Sequence, residues 1–276
     1  MAKVKIDCAW INVPYEIDLD YPKRIEVLVD KFKRAPVPDD EIRIVVLWEP
    51  FGGWISDVMR YPDFYSYVFT YHDFILDNND KSVLFLGVTV FVDPNVVHNK
   101  KFGVSTVIGD KQSHIMPGYK KRHELFFKKD LITIPKEIYV TGPHKFAEQF
   151  VHTPYGDIDF SKETHLGERK DIVFDCMFHI AIENSYNRNF FTEKIVDCFL
   201  TKTVPIYIGA ENIGDFFNKD GIISLKTIDE AIVACNSLTE ADYYRMMPAI
   251  EDNHQRSQKY IGFNQMLTDK IIEILP

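Results

Sequence analysis

Hydrophobic residues fall in short runs along this chain, and the spacing within each run predicts its element. VKIDCAWINV (4–13) reads as a first strand, and PKRIEVLVDKFKRA (22–35) places Ile25, Leu28, Val29 and Phe32 at helical spacing. EIRIVVLWEP (41–50) holds a run from Ile42 to Trp48, apolar apart from Arg43, that is too short and too β-branched for a buried helix. It predicts a central strand covered on both faces. YVFTYHDFIL (67–76) and SVLFLGVTVFV (82–92) read as further strands, and DPNVVHNKK (93–101) has the residues of a linker, which puts a domain boundary near residue 98.

Beyond it, FGVSTVIG (102–109) reads as a strand, GYKKRHELFFKK (118–129) as a helix and KEIYVTG (136–142) as a strand. Residues 143–170 show no period and are expected to be a long connection. IVFDCMFHIAIE (172–183) ends in an apolar strand of Phe178, Ile180 and Ile182; TEKIVDCFL (192–200) is helical, and TVPIYIG (203–209) is a short strand closed by glycine. This is a β-loop-α-β unit, and the remainder reads as helical. The alternation of strands and helices predicts an α/β protein of two packed domains, 1–98 and 99–276.

Composition supports this and narrows the function. A chain of 276 residues, 46% hydrophobic and 14% aromatic, has the material for two cores. A formal charge of −9 argues against a general nucleic-acid binder, which needs a basic face. Cys8, Cys176, Cys198 and Cys235 are far apart with no C-x-x-C pair, a pattern that suits reduced thiols better than a disulfide framework or a zinc site. No run of 18 apolar residues and no signal-like leader is visible, so a cytoplasmic protein without a membrane span is expected.

The candidate chemistry lies in IENSYNRNFFTEK (182–194). Ligands of open parallel α/β sheets sit outside the carboxyl ends of strands, where this loop falls. Thr192 is a good N-cap, and the amides after it carry the partial positive charge that attracts a diphosphate. Glu193 suits that helix start and could accept from hydroxyls. Lys194 opposes the helix dipole unless an anion lies beside it. A plain reading, in which Lys194 reaches solvent and Asn184 caps a turn, remains open on spacing alone. Residues 100–129 hold eight Lys or Arg against two acids. Most of these suit a solvated helix face, whereas Arg122 has the planar fork that clamps phosphate.

FHIAIENSYNRNFFTEKIVDCFLTKTVPIYIG (178–209) resembles the signature of the family 10 glycosyltransferases, the α-1,3/1,4-fucosyltransferases: a hydrophobic stretch, Glu-Asn-Ser/Thr, six variable residues, Thr-Glu-Lys, then Val/Ile-Pro-Ile/Val-Tyr-x-Gly. FGVSTVIGDKQ and YKKRHELFFKK are similar to the family's strand, its loop and its arginine-bearing helix. The resemblance implies a GT-B fold, two Rossmann-like domains facing across a cleft, with GDP-fucose held by the second domain and the acceptor glycan approached from the first. It implies that Asn184, Glu193, Lys194 and Arg122 bind the donor, joined by Phe190 where the family has Tyr, with Glu183 and Thr192 in support. Asp110 stands where the family commonly has Asn.

The implied reaction is inverting transfer of fucose from GDP-fucose to a glycan hydroxyl. It needs a general base, for which Glu49 is the candidate, with His72 and Asp73 in reserve. DLD (18–20) and DID (157–159) carry no weight as metal motifs, because about six such matches arise by chance in a chain this acidic. No metal and no tightly bound cofactor is expected. Two other functions fit the same residues: transfer from another nucleotide sugar, or a non-catalytic protein that keeps a sugar-nucleotide pocket.

Overall fold

The computed structural model describes residues 2–9, 15–19, 21–141, 150–166 and 170–275. The chain divides into two compact units. The first comprises residues 1–87, 187–190 and 264–276, and the second 88–186 and 191–263.

The first unit is built on a six-stranded sheet of β1 (Ala2–Cys8), β2 (Tyr15–Leu19), β3 (Arg24–Val29), β4 (Glu41–Leu47), β5 (Tyr67–Thr70) and β6 (Ser82–Leu84), in the order β2-β1-β3-β4-β5-β6. Only the β1–β2 pair is antiparallel; the others run parallel. As its largely apolar run predicts, β4 is central and buried from Ile42 to Leu47. The helix expected over 22–35 is instead strand β3. Ile25, Val27 and Val29 share period 2 within the same run that offers period 3.6, and pairing on both sides with β1 and β4 decides between them.

The connection from β3 to β4 has no helix. It is held by Arg43, 1% exposed in its side chain on β4: Nε donates to Glu26 (2.7 Å), Nη2 to Glu41 (2.8 Å), and Nη1 to the carbonyls of Ala35 (2.7 Å) and Phe64 (3.0 Å). Phe32, in that connection, packs on a small core that includes Val45, Leu47, Tyr65 and Val68. Helices α1 (Gly53–Arg60) and α2 (Asp73–Asn78) follow β4 and β5. The strand expected over 67–76 thus stops at Thr70 and turns into α2, and of the run 82–92 only 82–84 pairs.

The second unit holds a fully parallel sheet. Its strands are β7 (Lys101–Gly109), β8 (Lys136–Thr141), β11 (Thr164–His165), β12 (Cys176–Ile182), β13 (Val204–Ile208) and β14 (Ile223–Ser224), in the order β11-β8-β7-β12-β13-β14. Helices α3 (Pro117–Lys128), α4 (Glu193–Leu200), α5 (Ile228–Ser237) and α6 (Glu240–Ser257) belong to it, while α7 (Phe263–Ile274) lies almost wholly in the first unit. Within the connection 143–170 a hairpin forms from β9 (Phe150–Thr153) and β10 (Gly156–Asp159); residues 142–149 and 167–169 lie outside the described residues. The main core joins β7, β12 and β13 to α3, α5 and α6 through Val104, Phe178, Ile206, Leu125, Ile232 and Tyr243.

The division between units falls at 87/88 rather than near 98. The segment 88–98 joins the second unit because polar groups there secure it: the Phe91 N–H donates to Asp197 (3.2 Å), the Asp93 N–H to Asp171 (3.1 Å), and His98 Nδ1 pairs with Asp175 (3.0 Å). Linker-like composition does not report such anchors.

Candidate functional site

The loop after β12 carries the second unit's candidate site, and close packing fixes its shape. Asn184 O accepts from the Gly118 N–H (3.1 Å) at the start of α3. A Cβ at Gly118 would stand 1.7 Å from the Glu183 carbonyl, so glycine is what lets helix and strand end meet. Glu183 is fully buried. Its carboxylate accepts from the Thr192 N–H (2.8 Å) and the Thr192 hydroxyl (2.7 Å), closing the loop over residues 184–191. Burial pushes the Glu183 carboxyl up, against the pull of Lys194. Thr192 caps α4 as expected, accepting from the Lys194 N–H (3.4 Å).

Lys194 is paired with protein carboxylates: its ammonium lies 2.9 Å from Glu193 and 3.8 Å from Glu183. Burial alone would lower its pKa, but the two carboxylates outweigh burial and raise it; Glu193 is lowered against the same burial by Lys194 and Lys170. The dipole argument that singles out Lys194 is therefore met by protein carboxylates. Arg122 is different. It is buried, and its hydrogen bonds go to two neutral acceptors, Ile182 O (2.5 Å) and Asn184 Oδ1 (2.6 Å), with Tyr119 packed on its guanidinium. Desolvation lowers its pKa, against the upward pull of Tyr119 and of the Glu183 and Glu193 carboxylates, neither of which bonds it directly.

These side chains line one cavity of about 280 Å³ at the carboxyl ends of β7, β8 and β12. Arg122, Asn184, Glu193 and Lys194 meet there. Phe190 does not: it belongs to the first unit, where its ring lies 5.1 Å from Tyr71, because the chain crosses between units at residues 187–190. Glu183 and Thr192 stand behind the wall as supports.

Three charged cavity residues escape the sequence reading. Lys111 follows β7; Lys170 ends the unperiodic stretch, its ammonium 3.8 Å from the Phe91 ring centre and lowered in pKa by burial. Asp197 lies one turn along α4 from Glu193 and is 2% exposed. Burial, then Glu193, pushes its carboxyl up to about 8, against the Phe91 N–H and the two lysines. A charged residue inside the apolar run IVDCFL was the available signal. His179 is a wall residue bonded to Ser105 (2.8 Å), and burial holds its pKa down at about 3.

In the first unit, the carboxyl ends of β3, β4 and β5 gather Asp30, Glu49, His72 and Asp73. Asp30 is buried at a left-handed φ of 50°, and its carboxylate accepts from the Trp48 N–H (2.8 Å) and the Glu49 N–H (3.1 Å). This fixes the turn that presents Glu49, which is half-buried. His72, lowered in pKa by burial, hydrogen-bonds the Glu49 backbone. Asp73 is taken by Asn189 (2.5 Å) and Arg188 (3.1 Å). It is thereby a structural partner of the 187–190 crossing. Among the described residues no group of three or more His, Cys, Asp or Glu is placed to hold a metal ion, and no helix is long and apolar enough to cross a membrane.

Residues 144–260 match the family model described as Glycosyltransferase family 10 (fucosyltransferase) C-term, so the resemblance carried by 178–209 holds. The chain is similar to the alpha-(1,3)-fucosyltransferase FucT of Helicobacter pylori, 34% identical over 67 residues, which are 23% of this chain and 14% of that protein. It is also similar to 4-galactosyl-N-acetylglucosaminide 3-alpha-L-fucosyltransferase 9 of Mus musculus, 28% identical over 72 residues, 25% of this chain and 20% of the relative. The matches thus span a fifth or less of these relatives' length.

Among solved structures, an alpha1,3-fucosyltransferase aligns over 92% of this chain and 79% of its own with TM-score 0.51 and 14% identity. A glycosyltransferase from Rickettsia africae aligns over 90% and 75% with TM-score 0.57 and 12% identity. The Anabaena protein HepE, solved with UDP-glucose, aligns over 85% and 73% with TM-score 0.55 and 13% identity. At such identities these likenesses give the fold, which is of GT-B type.

Proposed function

We propose, for a chain with a family 10 signature on a GT-B fold, that the cavity of the second unit binds the diphosphate of a nucleotide sugar, GDP-fucose in particular. The chain then transfers fucose to a hydroxyl of a glycan acceptor with inversion. The observation that carries this reading is Arg122, a buried cation with only neutral hydrogen-bond partners, in a cavity that also presents Lys111, Lys170 and Lys194. A diphosphate supplies a directly bonded counter-charge.

In that reaction the acceptor oxygen forms a bond to the sugar's anomeric carbon as the bond to the diphosphate oxygen breaks. The leaving diphosphate takes up the bonding electron pair, and its growing charge is stabilised by Arg122 and Lys194. A base must receive the acceptor's proton, a role for which Glu49 is the candidate, held in place by Asp30. Glu193, ion-paired to Lys194, would orient that ammonium or accept from donor hydroxyls. We take the protein to work in the cytoplasm and to need no divalent ion.

The test is calorimetric titration with GDP-fucose, GDP-mannose and UDP-glucose, together with donor hydrolysis, on wild type, Lys194→Ala and Arg122→Met. Selective GDP-fucose binding that weakens tenfold or more in both variants, about 1.4 kcal/mol, is expected. Tighter binding of another donor would change the sugar but keep the site. No nucleotide binding by the wild type would sink the transferase reading and leave a scaffold.

A further inference from the structure

A second cavity, of about 330 Å³, lies in the same unit at the opposite end of α4, where Leu200, Thr201 and Lys202 line it. It is unrelated to the donor cavity. His98, Lys100, Lys202 and His254 contribute to its wall, with Tyr243 and Val97 as apolar cover. Among the described residues that line it none is acidic.

The carbonyl end of α4 would repel an anion, but its acceptors are already taken. The Thr203 N–H donates to Cys198 O (2.7 Å), His254 Nδ1–H to Phe199 O (3.1 Å), and the Tyr243 hydroxyl to Lys202 O (2.9 Å). Lys202 is ion-paired with Glu251 (2.7 Å), so the ammonium that the cavity presents without a direct ion pair is that of Lys100, beside the imidazoles of His98 and His254.

Two of these groups lack a natural counterpart. The Lys100 ammonium is buried and donates to the Phe174 carbonyl and the Thr203 hydroxyl, both neutral. A buried cation without a carboxylate is costly unless something supplies the charge. The His98 side chain is 4% exposed; Nδ1 is occupied by Asp175, whereas Nε2 is buried with no partner.

We propose that this cavity is a binding site for a phosphate-class anion, inorganic phosphate or the phosphoryl group of a small monoester, seated between Lys100, His98 and Lys202. A phosphate matches both deficits, since its oxygens accept from the ammonium groups and it can donate to, or accept from, His98 Nε2 according to the ring's protonation. Burial lowers the Lys100 pKa to about 7, with Cys198, Asp175 and Cys176 pulling it upward and His179 the nearby imidazole it influences in turn. A bound anion restores the charged form, so binding above that pH takes up protons.

Calorimetry at pH 8 with inorganic phosphate, glycerol 2-phosphate and acetate, in buffers of different ionisation enthalpy, tests this. We expect one saturable phosphate site with proton uptake, weakened at least tenfold in Lys100→Met and unchanged in Lys194→Ala. Stronger binding of the ester than of inorganic phosphate would assign the source to a metabolite, and the reverse to free phosphate. Absence of a saturable site overturns the proposal. So does acetate binding as well as phosphate, or phosphate binding lost in Lys194→Ala but kept in Lys100→Met, which would place the anion in the donor cavity. Should Lys100→Met fail to fold, His98→Gln and Lys202→Ala must each weaken binding, and retention in either overturns it. The failure of donor binding at Lys194 would leave these outcomes untouched, so the two readings fall separately.

Discussion

The two units gather polar residues at the carboxyl ends of parallel strands in contrasting ways. In the second unit Glu183, Asn184, Thr192, Glu193 and Lys194 come from twelve consecutive positions, closed into a loop by the Glu183–Thr192 bonds. In the first, Asp30, Glu49 and His72 come from three separate strand ends, and the Asp30 carboxylate holds the Glu49 turn through backbone amides. A site folded from one segment keeps its spacing in the sequence. A site gathered by a sheet leaves no spacing to read, because loop lengths between its members are free to vary.

The comparison extends to how each unit spends its buried charge. The largest expected contrast is in pH response. Folded Asp197 keeps its proton up to about 8, while the unfolded carboxyl releases it near 4. Between those values the native state binds the extra proton, so the second unit should lose stability as pH rises through that window. Asp197→Asn should flatten the slope by up to one proton, read by hydrogen exchange of α4 and β12 amides against pH. The first unit's Glu26 is shifted the other way: burial pushes it up, but Arg43 and Lys33 hold it low.

Next in size is Arg43→Met. It would remove the buried donor shared by Glu26, Glu41 and two carbonyls, leaving Glu26 only Lys33, and should cost about 3–5 kcal/mol. Because Trp48 and Trp54 lie in the first unit and residues 88–276 hold no tryptophan, the tryptophan fluorescence transition should move to lower denaturant, while second-unit hydrogen exchange stays near wild type. A smaller effect, about 1–3 kcal/mol, is expected for Asp30→Ala. Its sharper readout is kinetic: lower kcat with donor affinity unchanged, whereas Asp30→Asn, which tolerates the left-handed backbone and keeps an acceptor, should recover much of it. The smallest is Thr192→Ala, about 1 kcal/mol from the lost cap, with donor affinity falling as the loop loosens. Equal losses of donor affinity in Asp30→Ala and Thr192→Ala would erase the distinction between the units.

Legibility followed the same divide. The strands over 102–109, 136–142 and 203–209 and the helix at 192–200 stand within about a residue of where their apolar patterns place them, as does the Thr192 cap. The segment 22–35 misled because its apolar residues satisfy two periods at once, and only the neighbouring strands choose. Once β3 was taken for a helix, Asp30 could not be seen as a strand-end residue. Arg122 is legible as a candidate from its residue type on a helix, but that its hydrogen bonds go to neutral acceptors is a property of packing. Lys170 sits where no period exists, and Phe190 follows the donor motif in sequence while the crossing at 187–190 carries it to the other unit.

That excursion accounts for two of the four points at which the chain passes between units, 87/88, 186/187, 190/191 and 263/264. Neither unit is a continuous stretch, which has a consequence for biosynthesis. A ribosome delivers β1 to β6 first, yet the Asn189 bonds to Asp73 and nearly all of α7 arrive only after much or all of the second unit has emerged. The first unit to be made is therefore the last to be finished, and a shortened copy ending before α7 would leave that unit without its closing helix although all six strands of its sheet are present.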